Sequence, residues 1–128
     1  MKQAKEPRKI LLVDDETAVL EVTTRMLEQL GYKVTALSSS INALALFRTD
    51  PNQFDLVITD MTMPHMTGDK LASKIMKIRF SMPVILYSGY GQNITEENAK
   101  EMGVKLFLRK PINLKDMSEA ISRVLEVE

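Results

Sequence analysis

The chain is expected to fold as an α/β domain: one sheet of five parallel strands, order 2-1-3-4-5, doubly wound with helices on both faces. Three observations predict this. Short apolar runs alternate with helix-period segments five times along 128 residues. One of the runs, Phe54 to Thr59, is continuously apolar, as a strand covered on both faces would be. Three runs also end on charge. Ile10-Leu11-Leu12-Val13 meets Asp14-Asp15, Leu56-Val57-Ile58 passes through Thr59 to Asp60, and Leu106-Phe107-Leu108 passes through Arg109 to Lys110-Pro111. Helical crossovers between parallel strands are right-handed in nearly all cases, which lays the helices on both faces. The 2-1-3-4-5 order then puts a topological switch point between the first and third strands, where such sheets bind ligands beyond their carboxyl ends.

Each element has its own signal. The first strand is about Lys9 to Val13. A helix follows with Val19, Val22, Met26, Leu27 and Leu30 on one face, and Gly31 stands where a helix C-terminal glycine belongs. Lys33 to Leu37 reads as a strand near an edge, because its first residue is polar. Ser38-Ser39-Ser40 offers N-caps to a second helix carrying Ile41, Leu44, Ala45 and Phe47 inward. Asp50-Pro51-Asn52 ends it.

After the third strand comes a loop, Asp60 to Gly68, then a helix with Leu71, Ile75 and Ile78 inward. Pro83 to Tyr87 is the fourth strand, with Ser88-Gly89-Tyr90-Gly91 as its loop. Asn93-x-x-Glu96 resembles a capping box for a short fourth helix ending at Gly103. Lys105 to Leu108 is the fifth strand. Asn113-x-x-Asp116 caps the fifth helix, with Leu114, Met117, Ile121, Val124 and Leu125 inward.

Composition narrows the function classes. The length fits a single domain, residues 9–128 after a loose lead-in over 1–8. An apolar share of 45% and a charged share of 27% are those of an ordinary globular protein. Seventeen basic and seventeen acidic residues cancel, so no basic stripe argues for direct nucleic-acid binding. No cysteine is present, which excludes disulfides, thiolate chemistry and zinc-cysteine sites. No apolar run approaches the roughly 20 residues of a membrane span, and no signal core follows the basic start. A cytoplasmic protein is expected.

Taken together, Leu12-Val13-Asp14-Asp15-Glu16, then Asp60-Met61-Thr62-Met63-Pro64 with Gly68, then Ser88-Gly89 and Lys110-Pro111 resemble the receiver domain of two-component response regulators. Each motif alone is weak; their order and their places at four strand ends make the set specific. The resemblance runs from about Arg8 to Leu125. It implies a flavodoxin-like receiver fold similar to the chemotaxis response regulator, with Asp60 as phosphoacceptor. It also implies Mg2+ held by Asp15, Asp60 and the Thr62 backbone carbonyl, with Asp14 acting mainly through water and Mn2+ as the expected substitute. Lys110 and Ser88 would contact the phosphoryl oxygens, Ser88 and Phe107 would form the switch, and the bond before Pro111 would be cis.

The chemistry suits these residue types. Phosphoryl transfer is mostly positioning and charge neutralisation. Three carboxylates repel an anionic phosphoryl group and one another, and a divalent ion with oxygen ligands reverses that. Lysine adds a compact charge on a flexible stem. The phosphoryl group would bring roughly −1.5 to −2 charge; Ser88 would follow it, and the Phe107 ring would turn inward. The surface of the fourth helix, fifth strand and fifth helix would then change, and a weak homodimer could form through it. The implied partners are a sensor histidine kinase or phosphotransfer domain, with a kinase or output domain in the same parent chain as a further expectation. Thr62 and Tyr90, two residues after Asp60 and Ser88, carry no acid or amide to orient water, so a long-lived phosphorylated state is expected.

Two other classes compete. A phosphate-independent interaction module on this fold usually lacks one of the acids or the lysine, and this chain has them all. A Mg2+-dependent phosphohydrolase would want an aspartate two residues after its nucleophile, where Thr62 stands.

Overall fold

In the computed structural model, residues 7–89 and 100–125 are described. Five strands, β1 (Lys9–Val13), β2 (Lys33–Leu37), β3 (Leu56–Asp60), β4 (Val84–Ser88) and β5 (Leu106–Arg109), form one sheet in the order β2-β1-β3-β4-β5. Every neighbouring pair is parallel. Between them lie α1 (Thr17–Gln29), α2 (Ser40–Thr49) and α3 (Gly68–Ile78), and α4 (Leu114–Leu125) follows β5. The expected helix opened by Asn93 and Glu96 lies outside the described residues, as do Tyr90 and Glu97. Lys100 and Glu101 are helical, and Gly103 follows with a φ of 94°.

Strand alternation divides the core into two layers. Leu11, Val13, Val57, Val84, Leu86 and Phe107 pack on one face with Phe47 of α2 and Leu71 and Ile75 of α3. Ile10, Leu12, Ile58, Ile85 and Tyr87 pack on the other with Leu27 of α1 and Met117 and Ile121 of α4. β1, β3 and β4 are covered on both sides, so their apolar runs are continuous rather than alternating. β2 is an edge strand. Among the described residues no helix is long and apolar enough to cross a membrane.

The helix boundaries follow their local chemistry. The Ser39 hydroxyl caps α2 by accepting the Asn42 N–H at 3.1 Å. Asn113 caps α4 by accepting the Asp116 N–H at 2.7 Å. Gly31, with φ 98°, turns the chain after α1 while its N–H bonds to the Glu28 carbonyl.

Several inward-facing assignments need correction. Val22 is 57% exposed and Ile41 48% exposed, and Ala45 is exposed too. Leu27, Leu44 and Phe47 are buried as expected, and Thr23 on α1 and Ser40 and Ala43 on α2 are buried beside them. Ile78, at the end of α3, is 38% exposed, while Ala72 is buried. The faces turned to the core thus carry the smaller Thr23, Ser40 and Ala43 among the large apolar residues, while Val22 and Ile41 fall on the solvent side. The strands β3, β4 and β5 also end one residue later than the hydrophobic runs suggest, at Asp60, Ser88 and Arg109.

The β3–α3 loop carries one left-handed non-glycine residue, His65, with φ 71°. That conformation costs an L-residue roughly 1–2 kcal/mol, against a smaller entropic penalty for glycine. His65→Gly is therefore expected to stabilise the fold by about 0.5 kcal/mol, read as a higher urea midpoint at unchanged slope.

Candidate functional site

The charged ends of β1, β3 and β5 meet at the carboxyl edge of the sheet. Asp14 follows β1, and its N–H is fixed by the Leu37 carbonyl at 3.2 Å. Asp60 closes β3, and the next amide, Met61 N–H, bonds to the Tyr87 carbonyl at 2.8 Å. Lys110 follows β5, with its N–H on the Ser88 carbonyl at 2.8 Å and a cis bond to Pro111. Backbone pairing thus places each group before its side chain makes a contact.

The Lys110 ammonium is the hub. Its Nζ lies 3.1 Å from Asp14 Oδ2, 3.1 Å from Asp60 Oδ1 and 3.1 Å from Glu16 Oε1. Asp14 is fully buried and Asp60 nearly so, whereas Glu16 is exposed. Asp14 Oδ1 accepts the Glu16 N–H at 2.9 Å, and Oδ2 accepts the Tyr87 hydroxyl at 2.6 Å. Asp15 stands beside them, half-buried. A cleft of about 310 Å³ opens over the group, lined by Asp15, Glu16, Asp60, Thr62, Gly89 and Lys110.

Burial and then the Asp14 charge raise the Asp60 carboxyl to about 6, even though Lys110 pulls it down. Burial alone would lower Lys110, but Asp14 and Asp60 outweigh it and its pKa is raised. Burial and the Asp14 charge push the Tyr87 phenol up, so it stays a donor at ordinary pH.

The raised Asp60 carboxyl has a stability consequence. Between about pH 4 and 6 the folded protein holds a proton that the unfolded chain, titrating near 3.8, releases. Asp60 therefore favours the fold below its unfolded pKa, and this contribution is lost as pH rises through about 6. A shift of about two pKa units corresponds to about 3 kcal/mol. In chelator, Asp60→Asn is expected to match the wild type near pH 4 and exceed its stability by up to about 3 kcal/mol at pH 7. Denaturant midpoints across that range check it.

The donor set fits a hard divalent cation. Asp14, Asp15 and Asp60 each offer a carboxylate oxygen, and these oxygens lie within 4.8 Å of one another. All are oxygens, the ligand type that Mg2+ and Mn2+ take.

The sequence profile of the response regulator receiver domain matches residues 10–122. The chain belongs to the response regulator receiver domain family. Relatives of this receiver domain include a two-component response regulator, ARR14, from Arabidopsis thaliana, 33% identical over 91% of this chain and 31% of that protein. The DNA-binding transcriptional regulator NtrC from Azospirillum brasilense is 37% identical over 91% of this chain and 24% of that protein. The chain thus spans about a quarter to a third of the length of these curated relatives. Among solved structures, a response regulator receiver domain protein from Clostridium thermocellum is 37% identical with a TM-score of 0.88, covering 93% of this chain and 94% of that one. A CheY-like receiver domain protein from Methanospirillum hungatei is 32% identical with a TM-score of 0.83, covering 94% of each chain. Receiver domains are regulatory parts of two-component systems, and the flavodoxin-like order seen here is theirs.

Within this receiver, Asp14, Asp15, Asp60, Thr62 and Lys110 gather at one cleft. Ser88 ends β4 beside it, buried, with its hydroxyl donating to the Gly89 carbonyl at a long 3.3 Å. Phe107 is 7% exposed and packs in the core layer with Leu11, Val57 and Leu86. Its ring already lies inward, under the Arg109 guanidinium 5.3 Å from its centroid. Sequence reasoning missed Glu16 as a lysine partner and Tyr87 as a contact of Asp14. A third acid after Asp14-Asp15 and a tyrosine in a fully buried strand, whose hydroxyl needs a partner, were the available signals.

Proposed function

We propose that the domain is a phosphoacceptor switch that takes a phosphoryl group onto Asp60 from the phosphohistidine of a sensor kinase or phosphotransfer domain. The observation that carries this reading is Lys110 Nζ, 3.1 Å from Asp60 Oδ1 at the open edge of an acidic cleft. An Asp60 carboxylate oxygen forms the new bond to phosphorus. The phosphorus–nitrogen bond of the donor breaks, and its electron pair stays on the imidazole. Asp15, Asp60 and the Thr62 carbonyl would hold Mg2+ or Mn2+ directly, with Asp14 acting mainly through water. When bound, the ion neutralises phosphoryl charge. Lys110 neutralises another part of that charge and exchanges a carboxylate for a phosphoryl oxygen.

Ser88 is the residue best placed to respond, because its present bond to Gly89 is long and easily exchanged. Its movement, with Phe107 beneath, would change the surface around β5 and α4, where an output partner or second copy would bind. Residues 9–128 act as one receiver unit, in the cytoplasm with the donor. Output through a longer parent chain fits the curated relatives, which extend well beyond their matched part.

Intact mass after incubation with acetyl phosphate and Mg2+, and separately with a phosphorylated kinase domain, tests this. The wild type should gain one phosphoryl group; Asp60→Asn and chelated samples should gain none. A wild type that gains nothing from either donor would leave a phosphate-independent interaction module.

A further inference from the structure

Tyr87 meets four parts of the site at once. Its hydroxyl donates to Asp14 Oδ2 at 2.6 Å. The Lys110 ammonium sits over its ring, 4.8 Å from the centroid. Its carbonyl accepts the Met61 N–H, and in the parallel ladder it stands opposite Asp60. Ser88 is the next residue. Tyr87 is 1% exposed, so its phenol has no bulk solvent to donate to in place of Asp14.

Asp14 has three donors: the Glu16 N–H on Oδ1, and Tyr87 and Lys110 on Oδ2. Lys110 is the one shared with Asp60 and Glu16. A lysine drawn toward an incoming anion would loosen its hold on Asp14. The tyrosine hydroxyl stays, because β4 fixes its backbone. Without it, Asp14 would keep only the Glu16 N–H on Oδ1, and its buried Oδ2 would be left without a hydrogen-bond donor.

We propose that Tyr87 is a positioning residue of this site. Its hydroxyl fixes the plane of the Asp14 carboxylate toward the divalent cation, and its ring face supports the Lys110 ammonium beside Asp60. This rests on the reading that the acidic cleft takes Mg2+. Partners that orient metal-facing carboxylates typically change metal affinity 10–100-fold when removed.

The test is Mg2+ affinity of the unphosphorylated protein by titration calorimetry. Tyr87→Phe, which removes one oxygen, should weaken binding about 10-fold. Tyr32→Phe, in the connection between α1 and β2, should leave it unchanged. A Tyr87→Phe protein that binds Mg2+ as tightly as the wild type overturns the proposal. A second measurement does not depend on that variant folding. The chain has three tyrosines and no tryptophan. With Tyr32→Phe and Tyr90→Phe in place, Tyr87 is the sole tyrosine, and its emission should change saturably with Mg2+, at the calorimetric Kd. Emission that ignores Mg2+ overturns the proposal as well. A wild type whose Mg2+ affinity depends on Tyr87 but which gains no phosphoryl group leaves this inference standing and removes the phosphoacceptor reading. A phosphorylatable protein whose Mg2+ affinity ignores Tyr87 does the reverse.

Discussion

Lys110→Ala is expected to lower the stability of the metal-free protein by about 3–5 kcal/mol at pH 7. The lysine is the only cation that the described ion pairs place on Asp14 and Asp60. Without it, two buried carboxylates face each other uncompensated, and like charges at that range repel. The deficit should shrink below about pH 6, where Asp60 already takes up a proton. It should also shrink in millimolar Mg2+, and by more than Mg2+ stabilises the wild type, because the ion then replaces the missing charge. Urea unfolding of both proteins, with chelator and with Mg2+, measures all three effects. A variant as stable as the wild type in chelator would show that the lysine contributes nothing net to the fold.

Gly68→Ala is expected to cost at least about 3 kcal/mol and to displace Asp60. A Cβ at Gly68 would lie 2.0 Å from the Asp60 carbonyl oxygen and 2.9 Å from both Asp60 C and Met61 Cα. These are backbone atoms at the end of β3, so no flexible side chain can yield. The Gly68 N–H also bonds to the Met61 carbonyl at 2.8 Å, which draws α3 onto the strand end. Either the helix start or the acceptor must move. The contrast is Gly89, where an added methyl meets nothing within 4 Å. Gly89→Ala should change stability by no more than about 0.5 kcal/mol. Thermal melts of the two variants side by side would settle the matter, and a Gly68→Ala protein that melts with Gly89→Ala would contradict the close approach.

The sheet order and the convergence of Asp14, Asp15, Asp60 and Lys110 were legible in the sequence, because apolar runs mark strands and the charges end those runs. Strand ends were less legible. Asp60, Ser88 and Arg109 are polar and read as loop, yet the parallel ladder pairs Asp60 with Tyr87 and Ser88 with Arg109 through backbone groups that ignore side-chain polarity. Helix faces failed where Thr23 and Ala43 proved more buried than Val22 and Ile41. Periodicity weighs apolar bulk, whereas burial depends on which side of the helix meets the sheet, and small or hydroxylated residues occupy part of that side. The role of Tyr87 was hidden for a related reason. In a run such as Val84 to Ser88, with both faces covered, nothing local says which residue reaches across to Asp14, 73 positions away.

The three-way ion pair at Lys110 would also act as a tethered competitor toward a cation entering the cleft. An ammonium held by β5 within 3.1 Å of three carboxylates is present at a very high effective concentration. A monovalent ion from solution offers no more charge than the lysine and must also give up its free movement, so Na+ and K+ would be poor rivals for the cleft. A doubly charged ion offers more to every carboxylate at once. The lysine would thus set an entry threshold, favouring a doubly charged ion over a singly charged one without a rigid cage of ligands.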